Sequence, residues 1–239
     1  MDGSDKVLPS RAEAGKGRLL GLLSLTPLFT GMSVDELRRV VGKAKIDFIK
    51  VDPGHVVVRQ GDKCGQMLML IGGSLECHTS TDDRRYAVCE TMAAPAVLQL
   101  DGMFGLFQQF THTFTAQTAA SLISIDKKEI LKLVSTSIVF RLNLVNSLST
   151  ALQRKQHDDW RQEPADLAGR IALFLRRRCL TPSGPKTFHI KMETLAAELN
   201  DSRLDVSRAL NVMQRRGLLR LCRARIEVPA MQDLIVGSC

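Results

Sequence analysis

The sequence predicts an α+β protein in three parts: an N-terminal double-stranded β-helix (a jelly-roll-like β-roll), a long dimerisation helix, and a C-terminal winged helix-turn-helix. Three observations carry this. Short β-rich runs punctuated by Gly and Asp-Gly fill residues 46–125. A narrow apolar stripe at helical spacing follows Asp126. Two short helical patterns then flank a tight polar turn between Met192 and Leu219. The expected parts are a flexible tail over 1–17, a β-roll sensor over 18–126, a dimerisation helix over 127–160, and the winged domain over 161–239.

Residues 1–17 are polar and Gly-rich and lack the apolar core of a secretory signal, and no apolar run reaches membrane-spanning length. A cytoplasmic protein with no membrane partner is the expectation. Leu19 to Leu28 has helical apolar spacing. Ser33 with Glu36 three residues later is a capping-box signature, so a helix starts there and carries Leu37, Val40 and Val41 on one face. From Ala44 the pattern changes to strands: Ile46, Phe48 and Val51 alternate with polar residues, and Val56-Val57-Val58, Met67 to Ile71, Leu75 to Cys77 and Tyr86 to Cys89 are separated by turn residues. Thr113 to Ile125 supplies the last strands.

Beyond the cap chemistry of Ser135, Thr136 and Ser137, residues Ile138, Leu142, Val145, Leu148 and Leu152 recur every three or four positions. Such a stripe packs either on its own domain or against a second copy, as a homodimer seam. Glu163-Pro164 marks a hinge, because the residue before proline avoids helix. Asp166 to Cys179 is helical again, Thr181 to Pro185 is a turn, and Phe188 to Met192 is a short strand.

The sharpest stretch is Met192 to Leu219. Leu195, Ala196 and Leu199 are the buried face of one short helix. Asn200-Asp201-Ser202 is the connection and N-cap, and Val206, Leu210 and Met213 are the buried face of the second helix, which Gly217 ends. Leu218 to Arg220 and Arg225 to Val228 read as the strands of a wing. A second helix so placed enters the DNA major groove by its N-terminal end. Ser202, Arg203, Ser207 and Arg208 are the expected base contacts, because a guanidinium fork matches guanine O6 and N7. Lys191, Arg215, Arg216, Arg223 and Arg225 are the expected phosphate contacts, which give affinity without sequence information.

Charge agrees with double-stranded DNA as partner. Residues 170–225 hold thirteen Lys and Arg against four Asp and Glu, a segment charge of +9 in a chain whose net charge is +8. The six cysteines form no Cys-x-x-Cys pair and read as small core residues. A Ser-His-Asp arrangement, a metal-ligand spacing and a phosphate-cradling glycine loop are all missing, so the protein is not expected to be an enzyme.

Together these pieces resemble the Crp/Fnr superfamily of bacterial transcription regulators. The resemblance runs from about Pro27 to Ile235. It is carried by Pro27-Leu28-Phe29, Val58-Arg59-Gln60-Gly61-Asp62, Leu70-Ile71-Gly72-Gly73-Ser74-Leu75, Gly105-Leu106-Phe107, Gly169-Arg170-Ile171, and Ser202-Arg203 with Val206-Ser207-Arg208. It implies a homodimer, an operator of two half-sites, RNA polymerase as a partner, and a β-roll effector that re-aims the reading helices through the long helix. Members that bind cyclic AMP use a Gly-Glu and an Arg-Ser pair. Here the corresponding stretches read Leu98-Gln99-Leu100 and Thr113-Phe114-Thr115-Ala116, Ala94-Pro95-Ala96 replaces the usual Gly-Asp turn, and no arginine lies between Val88 and Ala120. A buried phosphodiester without a charged partner is costly, so no cyclic AMP is expected. The same lack argues against a cyclic-nucleotide-binding module without DNA function. With no cysteine before Cys64, an N-terminal iron–sulfur cluster is not expected either. Leu204 stands where many members carry Glu.

The expected effector pocket is Leu98, Leu100, Met103, Phe104, Phe107, Phe110 and Phe114. Such residues either fill a core or line a pocket for a flat apolar cofactor such as haem, as in members that sense nitric oxide or carbon monoxide, and a different small effector or none is the alternative. Met67, Met69, Met103, His112 and His55 are the candidate axial ligands. Cys77-His78 is not a ligand pair, because neighbours on a strand face opposite ways.

Overall fold

The computed structural model describes residues 11–159 and 163–236. Helix α1 (Arg11–Ser24) begins inside the stretch expected to be a flexible tail. Leu19 and Leu23 are buried in the sensor core and anchor the helix, which continues N-terminally from them. Residues 1–10 lie outside the described residues. A short 3-10 turn over Pro27–Phe29 leads to α2 (Val34–Lys43). Its capping box is present: the Ser33 hydroxyl accepts from the Glu36 N–H, and Glu36 Oε2 accepts from the Ser33 N–H at 2.8 Å. That backbone bond and the Ser33 hydroxyl hold the Glu36 carboxyl below its usual value.

Eight strands follow: β1 (Ile46–Val51), β2 (Val56–Val58), β3 (Gln66–Gly72), β4 (Ser74–Ser80), β5 (Tyr86–Ala93), β6 (Ala96–Leu98), β7 (Thr113–Ala116) and β8 (Ala120–Asp126). β1-β8-β3-β6 form one antiparallel sheet, and β5-β4-β7-β2 belong to the other. Alternate residues of both, Met67, Met69, Leu75, Cys77, Phe114, Ile123 and Ile125 among them, meet in one apolar core.

The stretch 127–160, expected as the dimerisation helix with cap chemistry interrupting it at Ser135, Thr136 and Ser137, is two helices broken at that point: α3 (Lys127–Thr136) and α4 (Ile138–Asp159). The hydroxyls of Ser135 and Thr136 fold back onto the Lys132 carbonyl at 2.8 and 2.7 Å, and Ser137 leaves the helical region. Local side-chain bonds of this kind compete with the helix ladder. Trp160 lies outside the described residues. α4 buries Phe140 and Leu144 against the sensor, with Phe140 and Phe29 ring centroids 5.3 Å apart. Asn143 Nδ2 donates to the carbonyls of Leu28 and Thr30.

The C-terminal domain comprises α5 (Leu167–Arg177), β9 (Lys186–Ile190), α6 (Met192–Glu198), α7 (Arg203–Arg215), β10 (Arg220–Cys222), β11 (Arg225–Val228) and α8 (Met231–Val236). The Asp166 side chain caps α5 by accepting from the Gly169 N–H at 3.0 Å. A Cβ at position 169 would lie 2.5 Å from Pro164, so only glycine lets the linker pack this closely. The first wing strand starts at Arg220 and not at Leu218. The Leu218 N–H closes the end of α7 on the Met213 carbonyl, and Leu219 is buried, so both residues finish the helix. Helix α8 buries Met231 and Leu234 and has no counterpart among the elements expected from the sequence.

The two parts share a sheet. β9 pairs antiparallel with β5, so one sheet runs β10-β11-β9-β5-β4-β7-β2 through both.

Candidate nucleic-acid interface and sensor core

α6 and α7 meet at a turn whose shape depends on three side chains. Asn200 has positive φ, which asparagine tolerates better than most residues. The Arg170 guanidinium reaches from α5 to the Leu199 carbonyl at 3.2 Å and to Asp201 Oδ2 at 2.5 Å. Asp201 Oδ1 also accepts from the Ser202 N–H, and these bonds, the backbone one first, hold the Asp201 carboxyl below its usual value. Sequence reasoning named Arg170 only as part of a resemblance and missed this bracing role. A basic residue in the first turn of the preceding helix was its one local signal.

Ser202 caps α7. Its hydroxyl accepts from the Asp205 N–H at 3.1 Å and donates to Asp205 Oδ2 at 2.6 Å. Val206, Leu210 and Met213 pin the inner face of the helix into the domain core. The outer face presents Arg203, Leu204, Arg208, Asn211 and Arg215 to solvent, with Ser207 half-buried at the boundary. Arg203 is 3.7 Å from Glu193, and Arg208 is 3.3 Å from Asp205. Lys191 is exposed at the start of α6, Arg216 at the end of α7, and Arg223 at the β10–β11 turn beside Ala224, which has positive φ. Arg225 is ion-paired with Glu227 at 2.8 Å.

The sensor residues divide. Leu98, Met103, Phe110 and Phe114 are buried in the sensor core, and Leu100 and Phe104 pack partly against it. Phe107 does not join them: it is 82% exposed, with its neighbour Leu106 at 87%. After Met103 the chain leaves the core through Phe104 and Gly105, whose φ of +88 turns it outward. Phe107 is therefore no lining residue here. Among the candidate axial ligands, Met67, Met69 and Met103 are packed inside the core, and His55 is exposed on the β1–β2 turn, away from it. His112 is half-buried beside Phe114, ring centroids 6.2 Å apart, and its Nδ1 shares a 2.6 Å hydrogen bond with Thr79 Oγ1. Burial lowers its pKa from the usual 6.5. Burial likewise pushes the Cys77 thiol up to about 12.

On α4, Ile138, Leu142, Val145 and Leu152 are open to solvent, each between 51% and 57% exposed. Leu148, expected in the same stripe, packs partly against the chain's own sensor core. It lies one turn beyond the buried Leu144 and so falls on the inner flank.

A family profile described as the cyclic nucleotide-binding domain matches residues 48–137, and one described as the Crp-like helix-turn-helix domain matches residues 169–235. The sensor domain of the transcriptional regulator DNR from Pseudomonas aeruginosa is 22% identical, covers 64% of this chain and 99% of its own, and superposes with a TM-score of 0.51, which supports the β-roll fold. The catabolite activator protein of Thermus thermophilus is 20% identical over 89% of this chain and 100% of its own, with a TM-score of 0.47. The c-di-GMP responsive global regulator CLP of Xanthomonas campestris is 18% identical over 82% and 99%, with a TM-score of 0.49. No curated protein matches the chain. Among the described residues no helix is long and apolar enough to cross a membrane, and no group of three or more His, Cys, Asp or Glu is placed to hold a metal ion.

Proposed function

The chain belongs to the Crp/Fnr family of transcription regulators, and we propose that it acts as a homodimer whose two α7 helices read two DNA half-sites under the control of a small apolar effector in the β-roll. The observation that carries this is α7 itself. Its inner face is fixed by Val206, Leu210 and Met213, its start is fixed by Ser202, and its outer face offers Arg203 and Arg208 to solvent. Arg203 and Arg208 read base edges, and Ser207 supports them from the boundary. Ser202 acts first as the cap that aims the helix, its hydroxyl being engaged by Asp205. Lys191, Arg215, Arg216, Arg223 and Arg225 hold the phosphates on either side.

Dimerisation through α4 is supported by the open stripe of Ile138, Leu142, Val145 and Leu152, whose 4-3-7 steps follow the period of a helix pair. A two-fold seam there sets the half-sites about 34–36 Å apart, one turn of DNA. Replacing Val145 by Asp should convert the protein to monomers in sedimentation while far-ultraviolet circular dichroism is unchanged. A dimer that survives would remove α4 as the seam. Once on DNA, the dimer helps or hinders RNA polymerase, as the family does.

The sensor's apolar interior and the lack of any arginine between Val88 and Ala120 favour an apolar effector over a cyclic nucleotide. Of the candidate axial ligands, His112 is the one that would hold haem at the flank of this packed interior: it lies beside Phe114, and the His112 Nδ1 is already oriented by Thr79. Haem bound there would supply gas or redox sensing. Anaerobic haemin titration tests it. One saturable Soret shift per protomer, lost in His112→Ala, supports haem. A spectrum that never saturates leaves a different apolar molecule, or none.

DNA reading is tested by selecting bound duplexes from a random pool and comparing the wild type with Arg203→Ala. The variant should lose about 1–3 kcal/mol on the selected sequence and relax discrimination at one base pair. Equal losses on selected and random duplexes would reassign Arg203 to the phosphates.

A further inference from the structure

One face of the seven-stranded sheet runs without a break from the sensor core into the core of the DNA-reading domain. Strand register makes Val58, Phe114, Cys77, Glu90, Lys186 and Val228 successive cross-strand neighbours on β2, β7, β4, β5, β9 and β11. Phe114 and Cys77 are buried in the sensor core, and Val228 in the other. Where the row crosses from β5 to β9, its apolar character gives way to an ion pair. Lys186 Nζ lies 2.7 Å from Glu90 Oε2, with side chains 1% and 5% exposed.

The pair is fully engaged. Glu90 Oε1 accepts from the Leu180 N–H at 2.6 Å, and Oε2 accepts from the Thr181 N–H and hydroxyl at 3.2 Å. Lys186 Nζ also donates to Thr181 Oγ1 at 2.6 Å. A buried ion pair repays its desolvation only while every partner is in place, so this seam is stable closed and unstable when partly open. Apolar contacts flank it. Val88 of β5 is buried within the DNA-reading core, between Glu90 and Tyr86 on the same face. The Tyr86 hydroxyl accepts from Arg178 Nε at 2.7 Å, and the Arg178 guanidinium lies 3.5 Å from the Phe174 ring centroid.

We propose that this row is a second, sheet-borne connection between sensor and DNA-reading domain, and that Glu90 and Lys186 are the positioning pair that locks it and so fixes how α7 is presented. The inference rests on the reading of these two parts as sensor and DNA reader. Effector-induced movement at Phe114 then reaches the wing through β4, β5 and β9, in parallel with α4.

Hydrogen exchange of the full-length protein, followed by mass spectrometry, tests the lock. In the wild type, the amides of 86–90 and 186–190 should be as protected as those of β3 and β8. In Lys186→Met they should exchange on the order of a hundredfold faster, since an uncompensated carboxylate is left in the seam, while β3 and β8 are unchanged. The double variant Lys186→Met with Glu90→Gln removes the stranded charge and should recover about tenfold of that loss. Wild-type seam amides exchanging like an open strand edge, or a Lys186→Met seam within about twofold of wild type, would overturn the proposal. If Lys186→Met loses protection throughout, Thr181→Val decides, because it removes the hydroxyl bonded to both Glu90 and Lys186: a seam-specific acceleration of about threefold supports the lock, and no change refutes it. Binding to random-sequence duplex, read in parallel, separates the two premises. Lys186 lies outside the exposed basic face, so Lys186→Met should bind within about twofold of wild type. A wild type that binds no duplex sinks the DNA reading and leaves the exchange result standing.

Discussion

The DNA-reading domain and the sensor distribute their side chains in opposite ways. In the first, residues for stability and residues for function are different residues: Val206, Leu210 and Met213 are buried beneath α7, and Arg203 and Arg208 stand in solvent above it. In the sensor, the residues expected to meet an effector are themselves the core, with Met103, Phe110 and Phe114 all buried. A reading helix can therefore change its target without unfolding its domain, whereas any change of effector must be made inside the packing that holds the sensor together.

That contrast can be broken or sharpened by measurement. Phe114→Ala should cost about 3–5 kcal/mol in denaturant unfolding, because a fully buried ring leaves a cavity. A loss below about 1 kcal/mol would mean that the sensor interior is loose enough to be a preformed pocket. Ser202→Ala should cost about 1 kcal/mol, by removing the cap of α7. Arg203→Ala, the variant proposed to weaken DNA reading, should leave stability within about 0.5 kcal/mol, since its side chain is 69% exposed. A larger loss would erase the separation of roles in the reading domain. The smallest effect is one of pH. Burial holds the pKa of His112 below 6.5, so the unfolded chain binds a proton that the folded sensor resists. The stability this confers is complete above pH 6.5 and is lost as pH falls below it. His112→Gln should flatten the acid side of the stability profile. An unchanged profile would place His112 in solvent.

The reading helix was legible because its signals are local. A cap, a buried i, i+4, i+7 pattern at Val206, Leu210 and Met213, and a terminal glycine fall within one segment. The α2 capping box was legible for the same reason. Features that depend on tertiary context were not. Phe107 reads as core from composition, and only the outward turn at Gly105 takes it to the surface. Leu148 has the right residue type and spacing for the seam, but the rotation that puts it above Leu144 depends on what α4 packs against. The β5–β9 pairing joins residues about a hundred positions apart, which no window of sequence contains. Glu90 and Lys186 both fall just outside the strands expected at Tyr86–Cys89 and Phe188–Met192, so neither was legible as a buried charge.

The arginines facing outward from the reading domain are already attended by carboxylates: Arg203 by Glu193, Arg208 by Asp205, Arg225 by Glu227. DNA must displace those acids, and each freed carboxylate then faces phosphate and draws a cation back from solution. The release of cations from the duplex is partly undone. The affinity of this protein should therefore fall with added salt less steeply than the slope of about 0.9 per neutralised phosphate.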